Sequence, residues 1–308
     1  MNIDAIFEGG GVKGISFCGA ITKLEEKEYQ FNNLAGTSAG SIIASLLAVG
    51  YTGQEIKQIL EKLDYNKFIS KDFIQSIPII GKLLGLLFEK GMYDSNYIET
   101  WINKLLIAKG KTKFKDVLDT NGKSRLKIIA SDITRKEMII FPDDLIKYGI
   151  DPMEFEIAKA VRMSCNIPLF YKPIKLKNNY ENINSLVIDG GILSNYPIWI
   201  FDADGVPSCP TFGFKLISED KKSSKYKVNI FNYIMNIINT IVDEDESFLM
   251  RDKDSVRTIY ISTFDVSATD FNLSKEIEQK LYQSGYDSVS EFLETWDFQE
   301  YIKKYRIK

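Results

Sequence analysis

Gly36-Thr37-Ser38-Ala39-Gly40 lies between two segments of different character. Before it, residues 31–35 are short and mostly apolar; after it, residues 41–49 are rich in Ala, Leu and Ile with no Gly or Pro. This pattern predicts the end of a strand, a sharp turn and a buried helix. The spacing has a physical reason. A serine at the apex of a strained strand-to-helix turn needs neighbours without bulky Cβ substituents, and glycines two residues to either side leave that room. Its hydroxyl then stands at a helix N-terminus, where free N–H groups favour developing negative charge. Two readings follow: Ser38 is a nucleophile, or it is an N-cap and the glycines only pack a tight turn.

One count narrows the chemistry: the 308 residues include no histidine. A Ser-His-Asp relay is therefore impossible within this chain, and a zinc site would have to be built from carboxylates and cysteines. A nucleophilic Ser38 would need a carboxylate, a lysine or a partner's residue as its base. Apolar residues make up 44% and charged residues 26%, the balance of an ordinary globular protein with enough length to bury a large core. The formal net charge of -3 gives no reason to expect a nucleic-acid partner. Cys18, Cys165 and Cys209 stand at no metal-ligand spacing, which suits small core residues in a reducing, cytoplasmic compartment. The first residues lack the basic and long apolar regions of a cleaved secretory signal; export by another route stays open. No run of about 18 apolar residues is available to span a bilayer.

In chain order, residues 3–7 predict a strand running into Glu8-Gly9-Gly10-Gly11-Val12-Lys13-Gly14, and residues 15–29 a helix with Ile15, Cys18, Ile21 and Leu24 on one side. Gly9, Gly11 and Gly14 also fit a dinucleotide loop. That reading wants an acidic residue at the end of the second strand, where Ser38 stands instead. Lys13-Gly14-Ile15 is not the Gly-Lys-Ser/Thr of a phosphate loop. The same glycines can cradle an oxyanion. If the two strands are neighbours, the N–H groups of Gly10, Gly11 and Val12 would face the Ser38 hydroxyl. Nucleotide binding by Gly9 to Gly14 is the competing reading.

Farther on, helical spacing predicts helices over 52–63, 93–107, 152–163, 229–250 and 274–293. Strands are expected over 126–131, 137–141, 185–188, 209–217 and 257–262. Residues 132–136 should form a hairpin turn, the lysine-rich 108–127 a solvated loop, and the basic tail 301–308 a solvated helix end. Residues 73–88 are very apolar but broken by Pro78, Gly81 and Gly85. They predict a core loop, the wall of an acyl pocket, or a flap that touches a membrane surface. Strands alternating with helices argue for an α/β fold with a mainly parallel sheet. No linker divides the chain, so residues 206–308 are expected to pack as an extension on a core of residues 1–205.

Residues 185–188 run into Asp189-Gly190-Gly191. Asp189 should end a strand, where open α/β sheets place their sites, and the glycines let other backbone come close. In water, with a pKa of about 3.9, an aspartate is a poor acceptor of a serine proton; burial raises the value and makes a better base. The alternative is a plain Asp-Gly-Gly turn. A serine with no histidine needs a partner, which favours the base.

Together these motifs resemble the patatin-like phospholipase family of lipid acyl hydrolases. Glu8 to Gly14 is similar to its glycine-rich oxyanion loop, Gly36 to Gly40 to its nucleophile elbow, and Asp189-Gly190-Gly191 to its catalytic Asp-Gly-Gly/Ala. Residues 164–173 resemble a weaker Ser/Ala-rich block ending in prolines, from which Cys165, Asn166 and Ile167 depart, and residues 269–274 resemble the C-terminal extension of bacterial members. The resemblance implies a three-layer α/β sandwich with Ser38 as nucleophile and Asp189 as proton acceptor. Gly9, Gly10, Gly11, Val12, Lys13 and Gly14 would bind the oxyanion and substrate. Gly36, Thr37, Ala39 and Gly40 would shape the elbow, and Gly190 and Gly191 the approach to Asp189. It further implies phospholipase A- or lysophospholipase-type ester hydrolysis through an acyl-serine, on a phospholipid or other acyl-ester lipid, with no metal or other cofactor. Lys13 as the base, and a non-catalytic lipid-binding member of the same fold, are the alternatives.

Overall fold

The computed structural model describes residues 1–64, 91–218, 250–268, 270 and 272–307. The predicted segment 73–88, and all but the last residue of the predicted helix 229–250, lie outside the described residues. The chain opens with β1 (Asn2–Phe7), a glycine loop and a 3-10 turn (Gly11–Gly14), then α1 (Ile15–Glu26). β2 (Gln30–Thr37) turns at Ser38 into α2 (Ala39–Val49), which is buried along nearly its whole length, as its apolar composition demands, and ends at Gly50 in the left-handed conformation. α3 (Gly53–Glu61) starts in a capping box: Thr52 accepts from the Glu55 N–H, and the Glu55 carboxylate accepts from the Thr52 N–H.

β3 (Gly91–Tyr93) and α4 (Asn96–Ala108) follow. Tyr93 thus belongs to a strand, not to the predicted helix. β4 (Leu126–Asp132) and β5 (Glu137–Phe141) form the expected antiparallel hairpin. α5 (Ile157–Ser164) is shorter than the predicted 152–163. The carbonyls of Met153 and Phe155 accept from the N–H groups of Lys115 and Phe114, so that stretch is committed to other backbone before the helix can begin. Next come β6 (Leu169–Tyr171), β7 (Ile174–Asn178) and β8 (Ile183–Asp189). β7 was not expected, although its alternating burial matches the apolar-polar alternation of Ile174-Lys175-Leu176-Lys177. The last third supplies β9 (Thr211–Ile217), a short α6 (Asp252–Ser255), β10 (Thr258–Ser262), α7 (Lys275–Thr295) and α8 (Phe298–Tyr305). The tail is not simply solvated, because Tyr301 and Ile302 are buried and Arg306 pairs with Asp202.

The main sheet runs β10-β9-β1-β2-β4-β8-β7, with β5 also paired to β4. From β10 to β4 every pairing is parallel; β8, β7 and β5 pair antiparallel. The architecture is therefore α/β with a mixed sheet whose parallel part carries the predicted strand-to-helix turns. Ile3, Ala5 and Phe7 of β1 join the main core on one face, while Ile6 joins Ala35, Tyr196 and Ile198 in a smaller cluster on the other.

One detail of the ladder places the site. Successive N–H and C=O groups of a strand point to opposite edges. Leu34 N–H donates to the Arg125 carbonyl, and Ile133 N–H donates to the Leu186 carbonyl. Odd-numbered residues of β4 therefore face both β2 and β8. These two strands share one edge of β4 and meet end to end: Thr37 pairs with Ile129, and Asp189 with Ala130.

α7 covers α1 at a close crossing of backbones. A Cβ at Gly285 would stand 1.9 Å from the Ser16 carbonyl oxygen, and one at Gly19 1.9 Å from that of Tyr282. Neither neighbour is a movable side chain, so Gly285→Ala should lower stability by about 1–3 kcal/mol or more. A denaturant midpoint equal to that of the parent chain would show that the helices can part freely.

Candidate active site

Three strand ends converge here. β1 delivers Glu8 and the glycine loop, β2 delivers Ser38, and β8 delivers Asp189; Phe7 pairs with Gly36, so the loop and the elbow leave the sheet side by side. Ser38 sits at φ 49 and ψ -123, a conformation that costs a non-glycine residue about 1–3 kcal/mol. The elbow glycines are needed for backbone contact. A Cβ at Gly36 would lie 2.2 Å from the Gly40 carbonyl oxygen, and one at Gly40 2.2 Å from that of Phe7. Gly190 is equally confined, 2.4 Å from the Ile129 carbonyl oxygen by the same measure. Thr37 donates its hydroxyl proton to the Ser194 carbonyl, tying the elbow to the segment after Asp189.

The Ser38 hydroxyl donates to Asp189 Oδ2 at 2.7 Å, and Asp189 Oδ1 accepts from the Gly191 N–H at 2.8 Å. Asp189 is 3% exposed. Burial pushes its carboxyl up to about 6, against the opposing pull of the Gly191 N–H and the Ser38 hydroxyl. Asp189 ends its strand as predicted, but β8 is antiparallel to β4. It reaches the C-terminal edge of the parallel strands by running toward β2 from the opposite direction. Ala39 opens α2 next to Ser38.

The glycine loop is held at several points. Gly9 N–H donates to the Asn195 carbonyl, and the Asn195 amide donates back to the Gly9 carbonyl. Lys13 N–H donates to the Gly10 carbonyl, closing the turn that ends at Gly14. Glu8 and Lys215 form a buried ion pair at 3.0 Å, and Glu8 also accepts from the Leu216 N–H. Burial pushes the Glu8 carboxyl up, opposed by Lys215 and more weakly by Lys13. Of the three N–H groups expected to face Ser38, that of Val12 already donates to the Ala268 carbonyl at 3.1 Å. Those of Gly10 and Gly11 have no backbone acceptor among the described residues. Gly11 adopts φ +55, and a Cβ there would lie 2.0 Å from the Ala268 oxygen.

Beside Ser38 opens a cavity of about 90 Å³ with mostly apolar walls, among them Val12, Ile15, Ile42, Leu60, Ile98 and Ile167. Cys165 also borders it, but burial pushes its thiol up, so it is no rival nucleophile. No group of three or more Cys, Asp or Glu side chains among the described residues could hold a metal ion. Among them, too, no helix is long and apolar enough to cross a membrane.

A family model for patatin-like phospholipases matches residues 5–202. The chain belongs to the patatin-like phospholipase family. Uncharacterized protein YqhO of Bacillus subtilis (strain 168) is 38% identical over 300 residues, covering 97% of this chain and 100% of that protein. Probable lipid hydrolase 463L of invertebrate iridescent virus 6 is 32% identical over 197 residues, 63% of this chain and 61% of that protein. The crystal structure of VipD from Legionella pneumophila matches at a TM-score of 0.58 and 19% identity, over 95% of this chain and 67% of that one. Type III effector protein ExoU matches at 0.52 and 16%, over 98% of this chain and 53% of that one. At such identities these two speak for the fold. The family and its lipid-hydrolase relatives support the general activity of a lipid acyl hydrolase.

Sequence reasoning did not find Asn195, Ala268 or Lys215, which carry no local motif. It noted Asn166 only as a departure from small residues. Asn166 accepts from Ser95 Oγ at 2.7 Å, donates to the Lys172 carbonyl, and offers its own carbonyl to the Asp189 N–H.

The raised carboxyl of Asp189 has a consequence for stability. Its folded value of about 6 lies above the ordinary 3.8, so the unfolded chain binds fewer protons between the two, and stability falls as pH rises through that window. Asp189→Asn should therefore be more stable than the parent chain above about pH 6, by on the order of 2–3 kcal/mol. The margin should vanish toward about pH 4. Unfolding midpoints across this range check the expectation; a constant difference would contradict it.

Proposed function

We propose that the protein is a serine lipid acyl hydrolase, of phospholipase A or lysophospholipase type, working through a Ser38–Asp189 dyad. The observation that carries this reading is the 2.7 Å hydrogen bond from the Ser38 hydroxyl to a buried carboxylate. Its direction favours Asp189 over Lys13 as the base. Asp189 Oδ2 takes the proton as Ser38 Oγ attacks the ester carbonyl. The N–H groups of Gly10 and Gly11, at the mouth of a helix, stabilise the oxyanion. As the tetrahedral intermediate collapses, the leaving alkoxide takes the proton from Asp189 and departs as the lipid alcohol. Water then gives a proton to Asp189 and attacks the acyl-serine; the proton returns to Ser38 as the fatty acid leaves. The apolar cavity beside Ser38 suits the first part of an acyl chain, which approaches from a lipid surface. Gly9 and Gly14 anchor the two ends of the oxyanion loop.

A fluorophosphonate probe and a set of short-chain nitrophenyl esters and phospholipids test this reading together. The parent chain should be labelled at Ser38, and Ser38→Ala and Asp189→Asn should each lose about 10³-fold or more in kcat. Because the base must be ionised, kcat/KM should rise with pH through a midpoint near 6 and then level off. Full activity in both variants would refute the dyad. Liposome binding with no labelling would make the chain a non-catalytic lipid binder, and saturable binding of NAD or ATP would return the glycine loop to a nucleotide role.

A further inference from the structure

We infer that Ser164 is a positioning residue for the nucleophile: its hydroxyl is inserted into the β2–β4 ladder at Ser38 and holds the elbow open. This rests on the dyad reading above. In the parallel ladder donors recur at every second residue of β2. Leu34 N–H donates to the Arg125 carbonyl, and with Gly36 opposite Ile128 and Thr37 opposite Ile129, the donors due after it are Gly36 N–H and then Ser38 N–H, the latter to the Ile129 carbonyl. This last bond is not made directly. Ser38 N–H donates to Ser164 Oγ at 2.9 Å, and Ser164 Oγ donates to the Ile129 carbonyl at 2.5 Å. Two hydrogen bonds through a hydroxyl replace one, so β2 leaves β4 one residue early and Ser38 is released from extended geometry into φ 49.

A hydroxyl suits this place because it accepts and donates at once; alanine does neither. Ser164 is fully buried, and the chain beyond it is fixed in turn by the Ser95 hydroxyl, which donates to Asn166 Oδ1, and by the Asn166 amide, which donates to the Lys172 carbonyl. Two residues on, the Asn166 carbonyl takes the Asp189 N–H. One turn of chain thus sets both halves of the dyad by their backbone amides. On the other side of the apex, Ser41 holds the Ser38 carbonyl with its hydroxyl and its N–H, so the apex is gripped at both ends of one residue.

Without the Ser164 hydroxyl, Ser38 N–H and the Ile129 carbonyl either stay unsatisfied or close into the direct ladder bond, and the second course turns the Ser38 side chain away from Asp189. Ser164→Ala should lower both kcat and the rate of fluorophosphonate labelling about 10- to 100-fold. KM should not move, and any shift in the pH midpoint of kcat/KM should be upward, because the Ser38 hydroxyl is one of the two groups that hold the Asp189 carboxyl down. Ser164→Thr keeps the hydroxyl and should restore the rate, with Ser164→Cys, a weak donor and acceptor, in between. Labelling of Ser164→Ala as fast as the parent chain overturns the inference, as does an equal loss in the Thr and Ala variants. A parent chain that is never labelled at Ser38 overturns the dyad reading and this inference with it. Normal labelling with an unaffected Ser164→Ala overturns the inference alone.

Discussion

A carboxylate removed from water and left facing one hydroxyl is the interaction around which the site is arranged. In solvent, Asp189 would hold its proton too loosely to draw one from an alcohol. Between the ends of β2 and β8, with one N–H from Gly191 for support, its affinity for a proton rises toward neutrality. With no histidine in the chain, no imidazole mediates between acid and alcohol. The short contact has to come from backbone placement, and the placement comes from two strands that end against each other on a shared edge of β4.

That arrangement explains why the glycines cluster as they do. Where three strand ends and a helix start converge, main-chain atoms approach closer than any Cβ permits, and Gly36, Gly40 and Gly190 each stand within 2.4 Å, by an ideal Cβ, of another segment's or turn's carbonyl oxygen. The strain at Ser38 is then a product of its surroundings. Both polar groups of its backbone are engaged by serine hydroxyls, leaving little freedom to relax.

Much of this was legible in the residues. The period of the apolar residues marks β1, α1, β2 and α2, and the Gly-x-Ser-x-Gly spacing marks the elbow between the last two. Asp189 stood out because an apolar run ends there in two glycines. Other features have no local signature. The direction of β8 depends on a pairing with β4, more than fifty residues earlier. The late start of α5, at Ile157 instead of 152, follows from backbone bonds between 153–155 and 114–115. The engagement of Val12 by Ala268 joins residues from opposite ends of the chain, and no pattern in the glycine loop foretells it. β7 is the exception: the alternation of apolar and lysine residues in Ile174-Lys175-Leu176-Lys177 is readable in the residues, although no strand is predicted over it.

The family match ends at residue 202, before β9 begins. Yet β9 lies directly against β1 and brings Lys215 to Glu8 at the root of the glycine loop. A chain shortened to the shared portion would have β1 as a naked margin, its main-chain donors and acceptors open to any passing strand, and a buried anion with its counter-ion gone. The final third is thus a wall of the same building. Sticky self-association and a collapsed loop, instead of a smaller working unit, are what its removal would produce.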